Sequence, residues 1–376
     1  MKGKRIGIDA RFYGTGSGLA RYTRELIDHL AKLKSPHTFV VLLLKEDVAA
    51  FKQNAPKPDG PPFEILPTTI RHYTFAEQLR LRRQLERANL DLIHFTNFNY
   101  PIRYRKPFVV TLHDVTLLEY AGRSRLSRLK MHPMRMVVSR GIKRSKAVIA
   151  ISKHQQRLIA RRFRTPADRI KVIYEAVEGR YRPMTAGAKV AFRREHGLDR
   201  PFLMYAGEWR EHKNLVRMLK AFKRLRQQRD VELVLVGKRD PAFPIIPQTI
   251  RRLGLTDNVR LTGFVADADL PKYYACADAF VFPSLTEGFG LPPLEAMASG
   301  TPVASSAAQP MPEILGDAAH FFNPRNTAEM AQALDRVLTD RRLRAALRTR
   351  GLARAKRYSW KRMARETLDV YESVLE

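Results

Sequence analysis

The chain has one cysteine, Cys276, in 376 residues, so it can form no internal disulfide and cannot build a cysteine metal cluster. A reducing compartment is expected, with Cys276 a buried apolar residue near a helix end. Apolar runs are short: the longest, such as FVVLLL at 39–44, are strand-sized and far below the roughly 20 residues of a membrane span. The N-terminus lacks the charged, apolar and small-residue succession of a secretory signal, which points to a cytoplasmic protein. No short internal repeat or low-complexity tract appears, which disfavours solenoids.

Acidic residues are the other scarcity, with 37 Asp and Glu against 68 Lys and Arg for a net charge of +31. The excess is uneven: residues 1–185 hold 37 of the basic side chains but only 15 of the acidic ones. Within that half, residues 122–146 carry nine basic residues and no acidic one. Such a stretch is either a solvated face or a surface for polyanions, among them nucleic acid, anionic headgroups and diphosphate-bearing lipids.

Short apolar runs alternate with amphipathic helical stretches, the pattern of an α/β protein with parallel sheets covered by helices. In the first half, strands are expected at 5–9, 38–44, 91–95, 107–113, 146–152 and 170–174. Helices are expected there at 18–33, 75–88, 125–144 and 152–163, and APKPDGPP at 55–62 reads as a loop. EGRYRPMTAGAK near 178–190 interrupts the pattern as a linker. Strands then recur at 202–207, 231–237, 258–265, 278–284, 301–306 and 318–322, and a long amphipathic helix closes the chain at 358–375. Two doubly wound domains follow, 1–182 and 183–357, with residues 358–376 as a terminal helix. In such sheets, ligands bind beyond the carboxyl ends of the strands.

Two loops at such ends stand out. GIDARFYGTGSGLARYTREL, residues 7–26, runs from a strand into a helix through Gly14, Gly16 and Gly18. Backbone N–H groups in such a turn can approach the phosphates of a dinucleotide or a sugar nucleotide, or the turn can be tight with no ligand. PSLTEGFGLPPLEAMASGTPV, residues 283–303, places Glu287, Gly288, Phe289, Gly290 and Leu291 ahead of a helix opened by Pro292 and Pro293, with Glu295 one turn inside. Two carboxylates then flank an amide-rich helix start. One would accept from sugar hydroxyls and the other from ribose hydroxyls, with a diphosphate between them.

This is where the sequence resembles the family 4 retaining glycosyltransferases of the GT-B fold, whose hallmark is two glutamates separated by seven residues, as Glu287 and Glu295 are. The resemblance continues in order through GIDARFYGTGSGLARYTREL, VTLHD, VIAIS, VIYEAVEGRYRP, MYAGEWREHKNL, LVLVG, VRLTGFV and PEILGDAA. It implies two Rossmann-like domains facing across a cleft, acceptor on the N-terminal one and nucleotide sugar on the C-terminal one, with the last helix crossing back to the first domain. It also implies Lys213 and, less directly, Arg210 on the donor diphosphate together with Gly16, Gly18, Gly290 and Leu291. Glu287, Gly288 and Phe289 would meet the donor sugar, Glu295 the ribose, and the backbone at Phe264 and Val265 the base. His113 matches the family's active-site histidine, and Asp114 would orient it or cap the next turn. Where relatives carry Asn and Gly, this chain has Glu175 and Ala176.

The activity so implied is transfer of a hexose, mannose first, from a GDP- or UDP-sugar to a glycan or lipid-linked acceptor in surface polysaccharide or lipopolysaccharide synthesis. No metal or other cofactor is expected, because basic side chains would neutralise the leaving diphosphate and no D-x-D pair stands in a suitable context. An anionic membrane face is a further expected partner, at the inner side of the cytoplasmic membrane. An NAD-dependent oxidoreductase would use the first glycine loop with Glu46 or Asp47, at an overlong spacing, and would leave Glu287, Glu295 and Lys213 without a role. A nucleic-acid-binding protein would use the charge, but no recognition module or aromatic-basic pattern accompanies it.

Overall fold

A computed structural model describes residues 3–54, 63–116, 125–237 and 243–376. The loop expected at 55–62 and the first three residues of the basic run, 122–124, lie outside them, and for 125–133 the backbone alone is described. Two compact units result: residues through Glu175 with Ser359–Glu376, and Ala176–Tyr358. The expected division after residue 182 thus falls seven residues later than the observed one. The segment read as a linker is held in the second unit by Tyr181, buried edge-on to Tyr274 with ring centroids 5.7 Å apart, and by Arg180 on Asp267.

The first unit is a seven-stranded parallel sheet in the order β3-β2-β1-β4-β5-β6-β7. Its strands are β1 (Arg5–Asp9), β2 (Thr38–Leu44), β3 (Phe63–Thr68), β4 (Leu92–Phe95), β5 (Phe108–Leu112), β6 (Ala147–Ala150) and β7 (Ile170–Val172). Runs such as TFVVLLL are apolar on both faces because helices cover both, so almost every β2 residue is buried. β3 has no counterpart among the expected strands. FEILPT contains Pro67, which removes a ladder donor, and an edge strand is where a sheet tolerates that loss. The expected helix at 75–88 begins with a π-turn at Glu77–Leu81 before Arg82–Arg87, and the turn carries Glu77 inward to a buried position.

The second unit is a six-stranded parallel sheet, β10-β9-β8-β11-β12-β13. It comprises β8 (Phe202–Ala206), β9 (Glu232–Val236), β10 (Val259–Gly263), β11 (Ala279–Phe282), β12 (Val303–Ser306) and β13 (Ala319–Phe322). The helices Leu215–Arg226 and Thr327–Thr339 pack together over one face, burying Met218, Phe222, Leu334 and Val337. Both units are Rossmann-like. Cys276 is buried at the end of the helix Leu270–Cys276.

The last helix, Trp360–Leu375, belongs to the first unit and lies against the helix Gly18–Leu30. Its Tyr371 hydroxyl meets His94 Nδ1 at 2.6 Å, while Thr111 Oγ1 meets Nε2 at 2.7 Å. Full burial holds the His94 imidazole neutral, its pKa lowered to about 3.

This histidine stays neutral in the fold but protonates in the unfolded chain below about 6.5, so its contribution is complete above that pH and is lost as the pH falls towards about 3. Urea titrations should show His94 alone costing the first unit about 1.4 kcal/mol per pH unit across that window. Tyr371→Phe, which strands a buried ring nitrogen, should cost a further ~1–3 kcal/mol at pH 7.

Candidate functional site

In the second unit, the chain leaves β8 through a short 3₁₀ turn, Glu211–Lys213, and leaves β11 into the loop that carries Glu287. The two loops are laced together by backbone and side chain. Leu285 N–H donates to His212 O at 2.8 Å, and Asn214 Nδ2 donates to Pro283 O at 3.0 Å and Pro324 O at 2.7 Å. Asn214 adopts a left-handed conformation, φ 61°, which starts the helix Leu215–Arg226 at an angle that aims Asn214 at those carbonyls. Lys213 is thereby set against Glu287, its Nζ 2.8 and 2.9 Å from the two carboxylate oxygens. Both side chains are largely buried, so removing either would leave the other charge uncompensated. Burial and the Glu287 charge push the Tyr205 hydroxyl well up, while burial and Lys213 push His212 down.

Past Glu287, Phe289 turns inward and packs edge-on to Tyr358 with centroids 5.5 Å apart. Gly290 is left-handed, φ 99°, and a Cβ there would come within 2.5 Å of Met311 Cε. It caps the helix Leu291–Ala298, whose first-turn prolines need no hydrogen-bond acceptor. Glu295 is buried on that helix and accepts from the Tyr274 hydroxyl at 2.8 Å. Glu287 and Glu295 thus flank the Gly290 turn.

Arg210 is exposed and paired with Glu208 at 2.7 Å, while Lys213 pairs with Glu287, and, after burial, both cations lower the pKa of His212. Phe264, beyond β10, is 77% exposed, and Val265 is half-buried beside it.

In the first unit, His113 directly follows β5. Its Nδ1 lies 3.0 Å from Glu175 Oε1, its Nε2 2.9 Å from Thr96 O, and its ring stands edge-on to Tyr22. Glu175, the departure from the family pattern, is therefore the carboxylate that orients the imidazole. Asp114 does the other of its two expected jobs: its Oδ1 accepts from Thr116 N at 2.7 Å and from Gln155 Nε2 at 3.3 Å, capping the turn. A cavity of about 250 Å³ opens against His113, with Tyr73, Phe98, Met134 and Val138 in its walls.

Among the described residues, nothing comes within 4 Å of a Cβ added at Gly16 or Gly18, so their packing does not demand glycine at either position. Ser17 caps the helix Gly18–Leu30, its Oγ accepting from Ala20 N–H at 3.3 Å.

One polar assembly has no counterpart in the sequence reading. Arg11, fully buried, reaches Asp9 at 2.6 and 2.8 Å and Glu77 at 2.7 Å, and Glu77 also accepts from Asn99 and from Tyr73 N–H. Asp9 and Arg11 lie two residues apart and would have been legible as a pair, but Glu77 arrives through the π-turn. Among the described residues, no group of three or more His, Cys, Asp or Glu could hold a metal ion, and no helix is long and apolar enough to cross a membrane.

The Glycosyltransferase Family 4 profile matches residues 16–178, and that of Glycosyl transferases group 1 matches residues 189–354. O-antigen chain mannosyltransferase B of Escherichia coli is 29% identical over 371 residues, covering 95% of this chain and 96% of that protein. O-antigen chain mannosyltransferase RfbU of Salmonella typhimurium is 28% identical over 265 residues, 70% of each chain. The structure of Anabaena HepE in complex with UDP and glucose superimposes with a TM-score of 0.78 at 20% identity, over 98% of this chain and 100% of that one, a likeness of fold.

The two glycines separate packing from ligand approach. Gly290→Ala should lower the melting temperature by several degrees, because it adds left-handed strain of ~1–3 kcal/mol and a clash with Met311. Gly16→Ala should leave the melting temperature unchanged or slightly raised.

Proposed function

The chain belongs to the glycosyltransferases that join a family 4 domain to a group 1 domain, and from that premise we propose a retaining mannosyltransferase using GDP-mannose, with UDP-hexoses as second donors. Its acceptor is a glycan or lipid-linked glycan of surface polysaccharide or lipopolysaccharide. The Escherichia coli and Salmonella relatives, both O-antigen mannosyltransferases by name, support the sugar and the product class.

The observation that carries this reading is the Lys213–Glu287 pair beside the Gly290 turn. An ammonium that already holds one anion in a partly desolvated site is matched to a diphosphate. On donor binding, Lys213 takes the phosphate oxygens and Glu287 turns its released lone pairs to the hexose hydroxyls. The N–H groups of Gly290 and Leu291 meet the diphosphate at the positive helix end. Glu295, fixed by Tyr274, accepts from the ribose, the backbone at Phe264 and Val265 frames the base, and exposed Arg210 swings from Glu208 to the phosphates. Gly288 and the Phe289 backbone line the sugar, since the Phe289 ring is committed to Tyr358.

In the first unit, Gly16 and Gly18 bring backbone N–H groups to the donor diphosphate, and His113, oriented by Glu175, contacts the donor sugar. The bond from the anomeric carbon to the diphosphate oxygen breaks as the acceptor hydroxyl bonds to that carbon on the same face. The acceptor's proton passes to the departing phosphate oxygen, and Lys213 and Arg210 stabilise the charge that develops there. Charge neutralisation by these side chains makes a divalent cation unnecessary. The enzyme works at the cytoplasmic membrane's inner face, drawn there by the basic helix Arg125–Arg144.

A sugar-nucleotide panel followed by thermal shift tests the donor. GDP-mannose at 100 times its Kd should add about 2.7 kcal/mol of stability, and an equal response to NAD alone would remove the reading. Glu287→Gln should lower turnover about 10²- to 10³-fold, and should also lower the melting temperature because it leaves the largely buried Lys213 ammonium without its counter-charge. Gly16→Ala, harmless to the fold, should reduce turnover as well. Full activity in excess chelator and an α-linked product by proton NMR are the expected companions. Loss of activity in chelator would refute the metal-free route, and a β-linked product would refute retention.

A further inference from the structure

Glu175 is 6% exposed, a carboxylate set well inside the first unit. The strands β5, β6 and β7 end level with one another, Leu112 opposite Ala150 and Ala150 opposite Val172. Ile173 N–H still donates to Ala150 O at 3.0 Å, after which the chain leaving β7 carries Glu175 past β6 to His113, beyond the end of β5. There Glu175 Oε1 meets the imidazole Nδ1 at 3.0 Å, and Thr96 O, from the loop after β4, meets Nε2 at 2.9 Å. Both ring nitrogens are spent inside the unit. Neither is left for the hydroxyl of a bound sugar.

The carboxylate is not spent. An ionised carboxyl group offers about four lone-pair sites, and among the described residues the one hydrogen bond made by the Glu175 side chain is with His113. Oε2 is open. The neighbouring polar groups do not compete for it: the Tyr22 hydroxyl, whose ring stands edge-on to His113, is engaged with Thr111, and His94 is closed off between Tyr371 and Thr111. Asp114 is held by Thr116 and Gln155. Among the described residues, no Lys or Arg pairs with Glu175.

A buried charged acceptor with a single partner is costly unless a second donor reaches it. A hydroxyl meets that need, because it donates to an ionised oxygen through a short, strong bond. A phosphate or carboxylate in the same place would be repelled, and a metal ion would lack the further ligands it requires.

We propose that Glu175 is a further donor-binding residue: Oε1 positions His113, while Oε2 accepts a hydrogen bond from a hydroxyl of the transferred hexose. This rests on the glycosyltransferase reading, in which His113 contacts that sugar, and it gives the polar contact to the carboxylate rather than to a ring nitrogen.

The test is isothermal titration of the full chain with GDP-mannose, or UDP-glucose where the donor panel selects it, and with the analogues that each lack one sugar hydroxyl. Glu175→Gln should weaken the sugar nucleotide roughly tenfold or more, the size of a hydrogen bond to a charged group, and leave affinity for the free nucleoside diphosphate unchanged. The analogue without the hydroxyl that meets Oε2 should bind wild type and variant equally, since the variant then has no further contact to lose. Unchanged sugar-nucleotide affinity in the variant would overturn the proposal, as would an equal loss for the free diphosphate or for every analogue. Should the variant not fold, a crystal structure of the wild-type chain with the sugar nucleotide decides: a sugar hydroxyl within about 3.2 Å of Oε2 is expected, and a bound hexose that leaves Oε2 without one overturns the assignment. A wild-type chain that binds no GDP- or UDP-sugar would mark failure of the glycosyltransferase reading itself, and the proposal would fall with it.

Discussion

The bidentate ion pair between Lys213 and Glu287 joins two loops 74 residues apart in sequence, and the loops after β8 and β11 are organised around it. A charge that far out of water cannot stand alone, so the loops after β8 and β11 must be held at a fixed separation. The left-handed Asn214 and the Leu285–His212 backbone bond supply that separation without using either charged group. The left-handed Gly290, three residues past the same glutamate, then caps the helix Leu291–Ala298.

The first unit solves a related problem differently. Its deepest cation, Arg11, is neutralised within the protein by Asp9 and Glu77, and that closed network fixes the segment from Tyr73 to Asn99. His113 is held by backbone at one nitrogen and by Glu175 at the other. The C-terminal helix enters the same region through Tyr371, His94 and Thr111, and Thr111 also meets the Tyr22 hydroxyl at 3.1 Å, whose ring lies against His113. One polar chain therefore links the docking of the last helix to the histidine at the end of β5.

Much of this was legible in the sequence because parallel strands buried on both faces read as unbroken apolar runs. Among the described residues, twelve of the thirteen strands fall where strands were expected, with bounds that agree to within two residues, although β7, β10 and β12 carry polar residues within the run. β3 escaped because Pro67 and alternating polarity disguise an edge strand. The π-turn at Glu77 escaped because a one-residue change in helical register leaves no compositional trace. Glu287 and Glu295 were legible through their spacing around glycine and proline. The pairing of Arg210 with Glu208 was not, since two exposed side chains choose partners by local geometry.

The sequence alone determined the alternation of strands and helices, the two-domain plan, and the glycine-rich helix starts flanked by carboxylates, since these depend on periodicity and backbone freedom within a few consecutive residues. Tertiary structure decided which charges meet: Lys213 with Glu287, Arg11 with Glu77, and His113 with Glu175. The three ion pairs join residues from 62 to 74 positions apart, and electrostatic pairing depends on distance through space, which a linear pattern does not encode.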